Sequence, residues 1–304
     1  MIKKNMKKII FSIVSVFIIF FTNIGYAQQD SIKTKKILPR PPIYGIPAKT
    51  LPQGKFIYRS YFTFTNYSQM YSATKEKMID LPSGMDFQNY SYTPKLRYGL
   101  TKRLTLIANF PLYYKQLENG TITKKGVGFG DAIVAGLYKF YFNKKKHFLI
   151  SGLLFSKYPT GKTNKLKSDE LPLGSGTYDF GVAILPEKEF GKLDVRFSAF
   201  YLLRGKNNQK VDLGNLQSYS ISTAYNFSKN FIAETSILYK STTDNQLNGK
   251  KITDSNTYLS QIIIGAQYRL APTFLLQTAV PITLSSKIPF SSNYDVWFGI
   301  FYLM

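Results

Sequence analysis

From Phe56 to the last residue the chain is a succession of segments, ten to fourteen residues long, in which apolar and polar side chains alternate. Successive strand side chains point to opposite faces, so a period of two commits each segment to a half-buried β-strand and not to a helix. In LTLIANFPLYY, Leu104, Leu106, Ala108, Phe110, Leu112 and Tyr114 share one face, with Arg103, Thr105, Asn109 and Tyr113 on the other. YLSQIIIGAQYRL and GKLDVRFSAFYLL alternate in the same way. A soluble antiparallel sandwich would show this pattern too, with its apolar face turned inward. The connections separate the two architectures. Strands are predicted near 56–67, 87–99, 103–114, 129–142, 147–158, 176–185, 192–204, 215–227, 230–241, 256–270, 273–284 and 293–304. Between them short turns (LTK, NKKK, PEKEFG, SKN, AP) alternate with long connections at 68–86, 115–128, 159–175, 205–214, 242–255 and 285–292. An even strand number, strict short–long alternation and bilayer-crossing length define an outer-membrane barrel. The expected fold is therefore all-β: a transmembrane up-and-down antiparallel β-barrel of about twelve strands over residues 56–304, with short turns and both termini in the periplasm.

The N-terminus agrees with that compartment. Lys3, Lys4, Lys7 and Lys8 precede the uncharged apolar run IIFSIVSVFIIFF at 9–21, and Gly25 and Ala27 are small where a signal peptidase reads. Thirteen residues at a helical rise span about 20 Å, short of a bilayer core, so residues 1–27 read as a cleaved signal peptide and not as an anchor. Residues 28–55 follow as a separate segment carrying Pro39, Pro41, Pro42, Pro47 and Pro52. Proline at that density blocks helix and ladder pairing, which leaves an extended periplasmic stretch or a plug laid against something else.

The chain has no cysteine and one histidine, His147, in the NKKKH turn. Disulfides, thiolate metal sites, histidine metal clusters and Ser-His-Asp chemistry are thereby excluded as organising features, and no cofactor or enzymatic activity is expected. The formal charge of +23 falls to +19 once the four leader lysines are removed. For an exported chain that excess points to outer-membrane lipid, lipopolysaccharide phosphates or acidic solutes, and not to nucleic acid. Many of these lysines also solvate loops, since TKK, NKKKH, GKK and GKTNKLK all fall between apolar segments. The stretch GVGFGDAIVAGLYKFY at 126–141 opens like a phosphate loop, but it lacks the preceding strand and following helix that a dinucleotide site needs. It reads instead as the mouth of the fourth strand, with Asp131 a rim charge.

Charge cannot face lipid cheaply at mid-membrane, so charged and amide side chains on the strands are assigned to the lumen. These are Arg59, Lys95, Arg97, Asp131, Lys157, Asp179, Asp194, Arg196, Glu234, Gln261, Gln267, Arg269 and Gln277, with Asn109. Their interior is either salt-bridged and plugged by the proline-rich segment, or an open pore; twelve strands lie between the filled and the aqueous regimes. On the outward parity, LRYGLTKRLTLI, TAYNFSKNFIAE and AQYRLAPTFLLQ place Tyr98, Tyr225 and Tyr268 at one level beside the short turns, and Tyr138 joins them as an aromatic girdle.

The chain ends YDVWFGIFYLM, whose Trp297, Gly299, Tyr302 and Met304 resemble the C-terminal signal of bacterial barrels, making the barrel-assembly machinery an expected partner. GFGDAIVAGLYKFY, LTKRLTLIANFPLYY, KYPTGKTNK and LPLGSGTYDFGVAI further resemble a bacterial outer-membrane transporter family named for the meta-pathway of phenol degradation. The match lies in GxGD at Gly128–Asp131, PTG at Pro159–Gly161 and PLGSGxxD at Pro172–Asp179. The resemblance implies a barrel that passes aromatic or other hydrophobic small molecules, while the excess of lumenal Arg and Lys favours anionic ones. The alternative is a non-conducting structural or adhesion barrel whose basic loops bind lipopolysaccharide or a partner.

Overall fold

Alternation fixes which face of each strand is greasy, and pairing then has to bring those faces together on one side of a sheet. In the computed structural model, which describes residues 41–43 and 45–303, the sheet closes on itself. Residues 1–40 (the expected signal peptide among them), Tyr44 and Met304 lie outside the described residues. Twelve wall strands follow in chain order: β1 (Phe56–Tyr67), β2 (Met85–Gly99), β3 (Leu104–Asn109 and Leu112–Asn119), β4 (Ile122–Phe129 and Ala132–Asn143), β5 (Phe148–Tyr158) and β6 (Asp179–Phe190). Then come β7 (Leu193–Arg204), β8 (Leu216–Asn226), β9 (Phe231–Thr242), β10 (Tyr258–Ala271), β11 (Phe274–Lys287) and β12 (Asp295–Leu303). Each pairs antiparallel with its sequence neighbours, and β1 closes the ring by pairing with both β2 and β12. Among the described residues no wall strand is left as a free edge, which is what a wall in lipid requires.

The breaks in β3 and β4 have one cause. Pro111 offers no N–H to the ladder, and its carbonyl accepts the Gly130 N–H at 2.7 Å, so both strands kink at the same level. A Cβ at Gly130 would collide with the Tyr113 ring, and Gly128 sits at φ 141°, so the glycines of GVGFGD are demanded by backbone geometry.

Two connections differ from expectation. Residues 115–128 were expected to form a long loop; instead β3 and β4 stay paired to a tight turn at Gly120, because its polar residues need only be solvated, not unpaired. PEKEFG was expected to be a turn, but β6 runs on through Pro186 and reverses at Gly191 (φ 62°). The cost of proline inside a strand is one missing N–H. Extending β6 places Glu187 and Glu189 on the wall, a consequence taken up below. The long connections also carry structure: Gln69–Ser72 pairs with both Lys77–Asp80 and Phe290–Ser291.

Outward side chains form the exposed apolar band, among them Leu106, Val134, Leu154, Phe180, Val182, Ile221, Ile237 and Ile264. Tyr98, Tyr138 and Tyr225 are exposed on that face and Tyr268 half-buried. All four sit beside the short turns, where Tyr138 lies opposite Leu104 and Tyr268 opposite Phe231.

Candidate functional site

At the short-turn end of the barrel, residues 41–51 run across the interior without joining any ladder. Proline explains the second half of that statement, and buried hydrogen bonds explain the first. The carbonyls of Pro42 and Ile43 accept from Arg59 Nη2 at 2.7 and 3.0 Å, and the Pro41 carbonyl accepts from Gln267 Nε2 at 2.9 Å. Ile43 N–H donates to the Glu234 carboxylate, Ser151 Oγ donates to the Ala48 carbonyl at 2.6 Å, Arg97 Nη2 to the Lys49 carbonyl, and Leu51 N–H to Thr105 Oγ1. These side chains stand on β1, β2, β3, β5, β9 and β10, each within a few residues of the short-turn end of its strand. Ile43 packs on Leu238, Ile263 and Ala279 with Trp297 against them, and Ala48 joins the cluster around Leu137, Leu149 and Leu185. The wall makes room for the segment: a Cβ at Gly99 would strike the Pro52 carbonyl, and one at Gly265 would crowd Ile43.

Beside the segment lies a buried ion cluster. Arg196 on β7 is 3.0 Å from Glu234 and 3.6 Å from both Glu187 and Asp194. Lys49 of the segment completes it, 2.9 Å from Glu187 and also paired with Glu189. Glu187 is 2 % exposed and is a site residue the sequence reading missed, because PEKEFG looked like a turn. Its parity with Ala183 and Leu185 would have revealed it once the strand was extended past Pro186.

At the long-loop end, a second cluster fastens the 159–178 connection. Asp131 accepts from Gly161 N–H (3.1 Å), Ser175 N–H (2.8 Å) and Ser175 Oγ (2.9 Å). Lys157 bridges Asp131 at 3.5 Å and Asp179 at 2.5 Å and donates to Ser175, while Asp179 also accepts from Gly205 N–H. A Cβ at Gly174 would overlap the Asp131 carboxylate. Replacing Asp131 by Asn turns one acceptor into a donor aimed at the Ser175 N–H, at a cost of about 1–3 kcal/mol. Asp131→Asn is therefore expected to speed proteolytic cleavage within 159–178 while the wall stays intact. Unchanged cleavage would show that the carboxylate does not hold the loop.

Two half-buried loop carboxyls add a pH dependence. Glu170 is held below the ordinary carboxylate range chiefly by a hydrogen bond from Lys162, and Asp244 likewise by Lys251. A depressed folded value means the stabilisation is complete above the unfolded pKa of about 4 and is lost as pH falls through the folded value. Loop protection against an acid-tolerant protease is expected to be constant from pH 7 to 5 and to fall below about pH 4. A flat profile would exclude these pairs as loop clasps.

The remaining predicted positions are distributed around the inner face. Arg59, Arg97, Arg196, Arg269, Gln261, Gln267 and Gln277 are buried, as are Asp131, Asp179 and Glu234, whereas Lys95, Lys157 and Asp194 are half-buried. Gln277 donates to Gln267, which extends the network holding Pro41. Arg269 lies apart, donating to the Pro272 carbonyl in its own turn. Part of the inner face is apolar. On β3 to β7 it is lined by Ile107, Ala135, Leu153, Phe155, Ala183 and Leu202, with Phe155 stacked on Phe200 at 4.8 Å. Among the described residues no cluster of His, Asp or Glu is placed to hold a metal.

The family model described as "Putative MetA-pathway of phenol degradation" matches residues 70–291, more than two thirds of the chain. The chain belongs to that family. The three motifs of the resemblance meet at one place, the Asp131 cluster: Asp131 closes GxGD, Gly161 ends PTG, and Ser175 and Asp179 come from PLGSGxxD. The fold is similar to that of an outer membrane channel from Pseudomonas putida F1, with a TM-score of 0.72 at 17% identity, covering 84% of this chain and 98% of that one. It is more distantly similar to the NanC porin (TM-score 0.51, 9% identity, 80% and 98% covered). The beta domain of the Bordetella autotransporter Brka is at a similar distance (TM-score 0.50, 9% identity, 83% and 100% covered). No curated protein matches the chain. Family and fold together make this an outer-membrane barrel.

Proposed function

We propose that the protein is an outer-membrane channel for small solutes, a passive conduit whose short-turn, periplasmic mouth is crossed by residues 41–51. The observation that carries this reading is the way the segment is held. It bonds to inner-face side chains from strands all round the wall and to none of the ladders, so it can leave without unzipping the sheet. Each net hydrogen bond contributes about 0.5–1.5 kcal/mol, and ordering each backbone residue costs about 1–2 kcal/mol. Docking is therefore a balance of terms of one size, suited to a constriction that moves. The similar Pseudomonas putida protein, described as an outer membrane channel, supports the same reading. The buried charged and amide residues of the inner face line the conduit in this proposal, and Tyr98, Tyr138, Tyr225 and Tyr268 anchor its periplasmic rim in the headgroup region.

A non-conducting adhesion barrel needs neither a displaceable segment nor glycines that make room for it. An enzymatic reading has only His147, which is largely exposed on a turn beside Glu189. Purified full-length protein in planar bilayers is expected to give discrete, fluctuating conductance steps. A silent bilayer containing folded barrel would sink the channel.

A further inference from the structure

Arg59 and Lys95 face each other directly across β1 and β2, and Arg97 lies opposite Ile57, one step along the same inner face. Like charges in cross-strand register destabilise a sheet, and among the described residues no carboxylate lies within ion-pair distance of the three, although Arg59 feels the Glu234 carboxylate that Arg196 holds at 3.0 Å. Arg59 is 2 % and Arg97 4 % exposed, and the Nε of each is buried with no hydrogen-bond partner. Their neutral compensation comes from the Tyr61 ring, 4.2 Å from the Arg59 guanidinium and 5.8 Å from Lys95 Nζ, and from backbone carbonyls of the segment: Pro42 and Ile43 for Arg59, Lys49 for Arg97. A carbonyl dipole is a weaker partner for guanidinium than a carboxylate, which binds bidentately through charge-assisted bonds.

The register continues from this cluster into grease. Arg97 lies opposite Ile107, Ile107 opposite Ala135, Ala135 opposite Phe155, and Phe155 opposite Gly181, whose missing side chain leaves room for the Phe155 ring. A cationic corner thus adjoins a flat apolar wall that ends on a stacked aromatic pair.

We propose that Arg59, Lys95 and Arg97 form a binding site for an amphipathic organic monocarboxylate, whose carboxylate replaces the carbonyls of residues 42, 43 and 49 and whose apolar body lies on Ile107, Ala135 and Phe155. The solute then competes with the segment for the same donors and opens the channel by displacing it. This rests on the reading of residues 41–51 as a displaceable constriction, and it adds the solute class and the trigger.

The test is calorimetric titration of benzoate, and of the neutral benzyl alcohol, into the detergent-purified full chain. Benzoate is expected to bind, and benzyl alcohol to bind weaker by at least about tenfold, the scale of one charge-assisted contact. The double variant Arg59→Gln/Arg97→Gln should lose the same factor, and Lys95→Gln alone, which keeps both buried arginines, should lose part of it. Heat-modifiable migration on gels checks that each variant is folded. The chain has no cysteine of its own, so Ala48→Cys/Ser151→Cys bridged by a short bis-maleimide pins the segment in place. Pinning should abolish benzoate binding. The proposal is overturned by equal affinity for the acid and the alcohol, by no binding of either, by folded glutamine variants that bind like wild type, or by undiminished binding to the pinned chain. Because binding is read without transport, a silent bilayer with charge-dependent binding would sink the channel and leave this site. Conductance without charge-dependent binding would do the reverse.

Discussion

Deleting residues 28–55 is expected to raise single-channel conductance and the uptake of a small neutral sugar several-fold over the full chain, the change from a filled interior to one wide enough for water. The segment takes with it Ile43, Ala48 and Leu51, all buried between opposite walls. It also removes the acceptors of Arg59, Arg97, Gln267 and Ser151, groups that water will then satisfy. The wall itself loses no ladder bond beyond the short stretch where Gly54 and Lys55 meet Gly99, so the variant should keep its heat-modifiable migration. Planar-bilayer recording and liposome swelling make the comparison directly. Folded barrel with unaltered permeability would mean that the constriction lies elsewhere, and would favour the non-conducting alternative.

Arg196→Met is expected to be the most damaging single substitution in the wall. It takes from Glu187, Glu234 and Asp194 the guanidinium they share; among the described residues Lys49 still pairs with Glu187 and the Ile43 N–H still donates to Glu234. Removing one partner from a buried ion cluster costs about 3–5 kcal/mol, because the remaining charges stay desolvated with less compensation. Arg196→Lys keeps the charge but not the fork that reaches three carboxylates, and should fall between the two. Urea unfolding from lipid vesicles, followed by circular dichroism, measures the difference, with Ser198→Ala as a neighbouring inner-face control. A loss below about 1 kcal/mol for Arg196→Met would show that water reaches the cluster and screens it.

Much of this was legible in the chain. The twelve strands and their antiparallel order follow from a period of two, and the inward assignment of Arg59, Arg97 and Gln267 rests on the argument that lipid on one side leaves charge a single direction to face. The three family motifs could be quoted, but not the reason they occur together. That reason is long-range: Asp131, Gly161 and Ser175 meet only when the 159–178 connection folds back to the rim. The apolar half of the inner face was hidden for a different reason. AIVAGLY, FLISGLLF and DFGVAIL carry apolar residues on both parities, so alternation selects no face there, and the ladder register decides. Glu187 escaped because Pro186 reads as punctuation, although a strand tolerates proline where no N–H is required. The docking of residues 41–51 was foreshadowed only by composition; its partners depend on side chains scattered from Arg59 to Gln267.

The seam between β1 and β12 has a consequence for biogenesis. Ile57 is paired with Leu303, so the first wall strand waits for the last residues of the chain before the cylinder can be sealed. Pairings of such long sequence separation form slowly. Until they do, both terminal strands present raw edges able to recruit another chain. Residues 41–51 lie just ahead of β1 in the chain, so the ring has to be zipped shut with that tail already on its concave side.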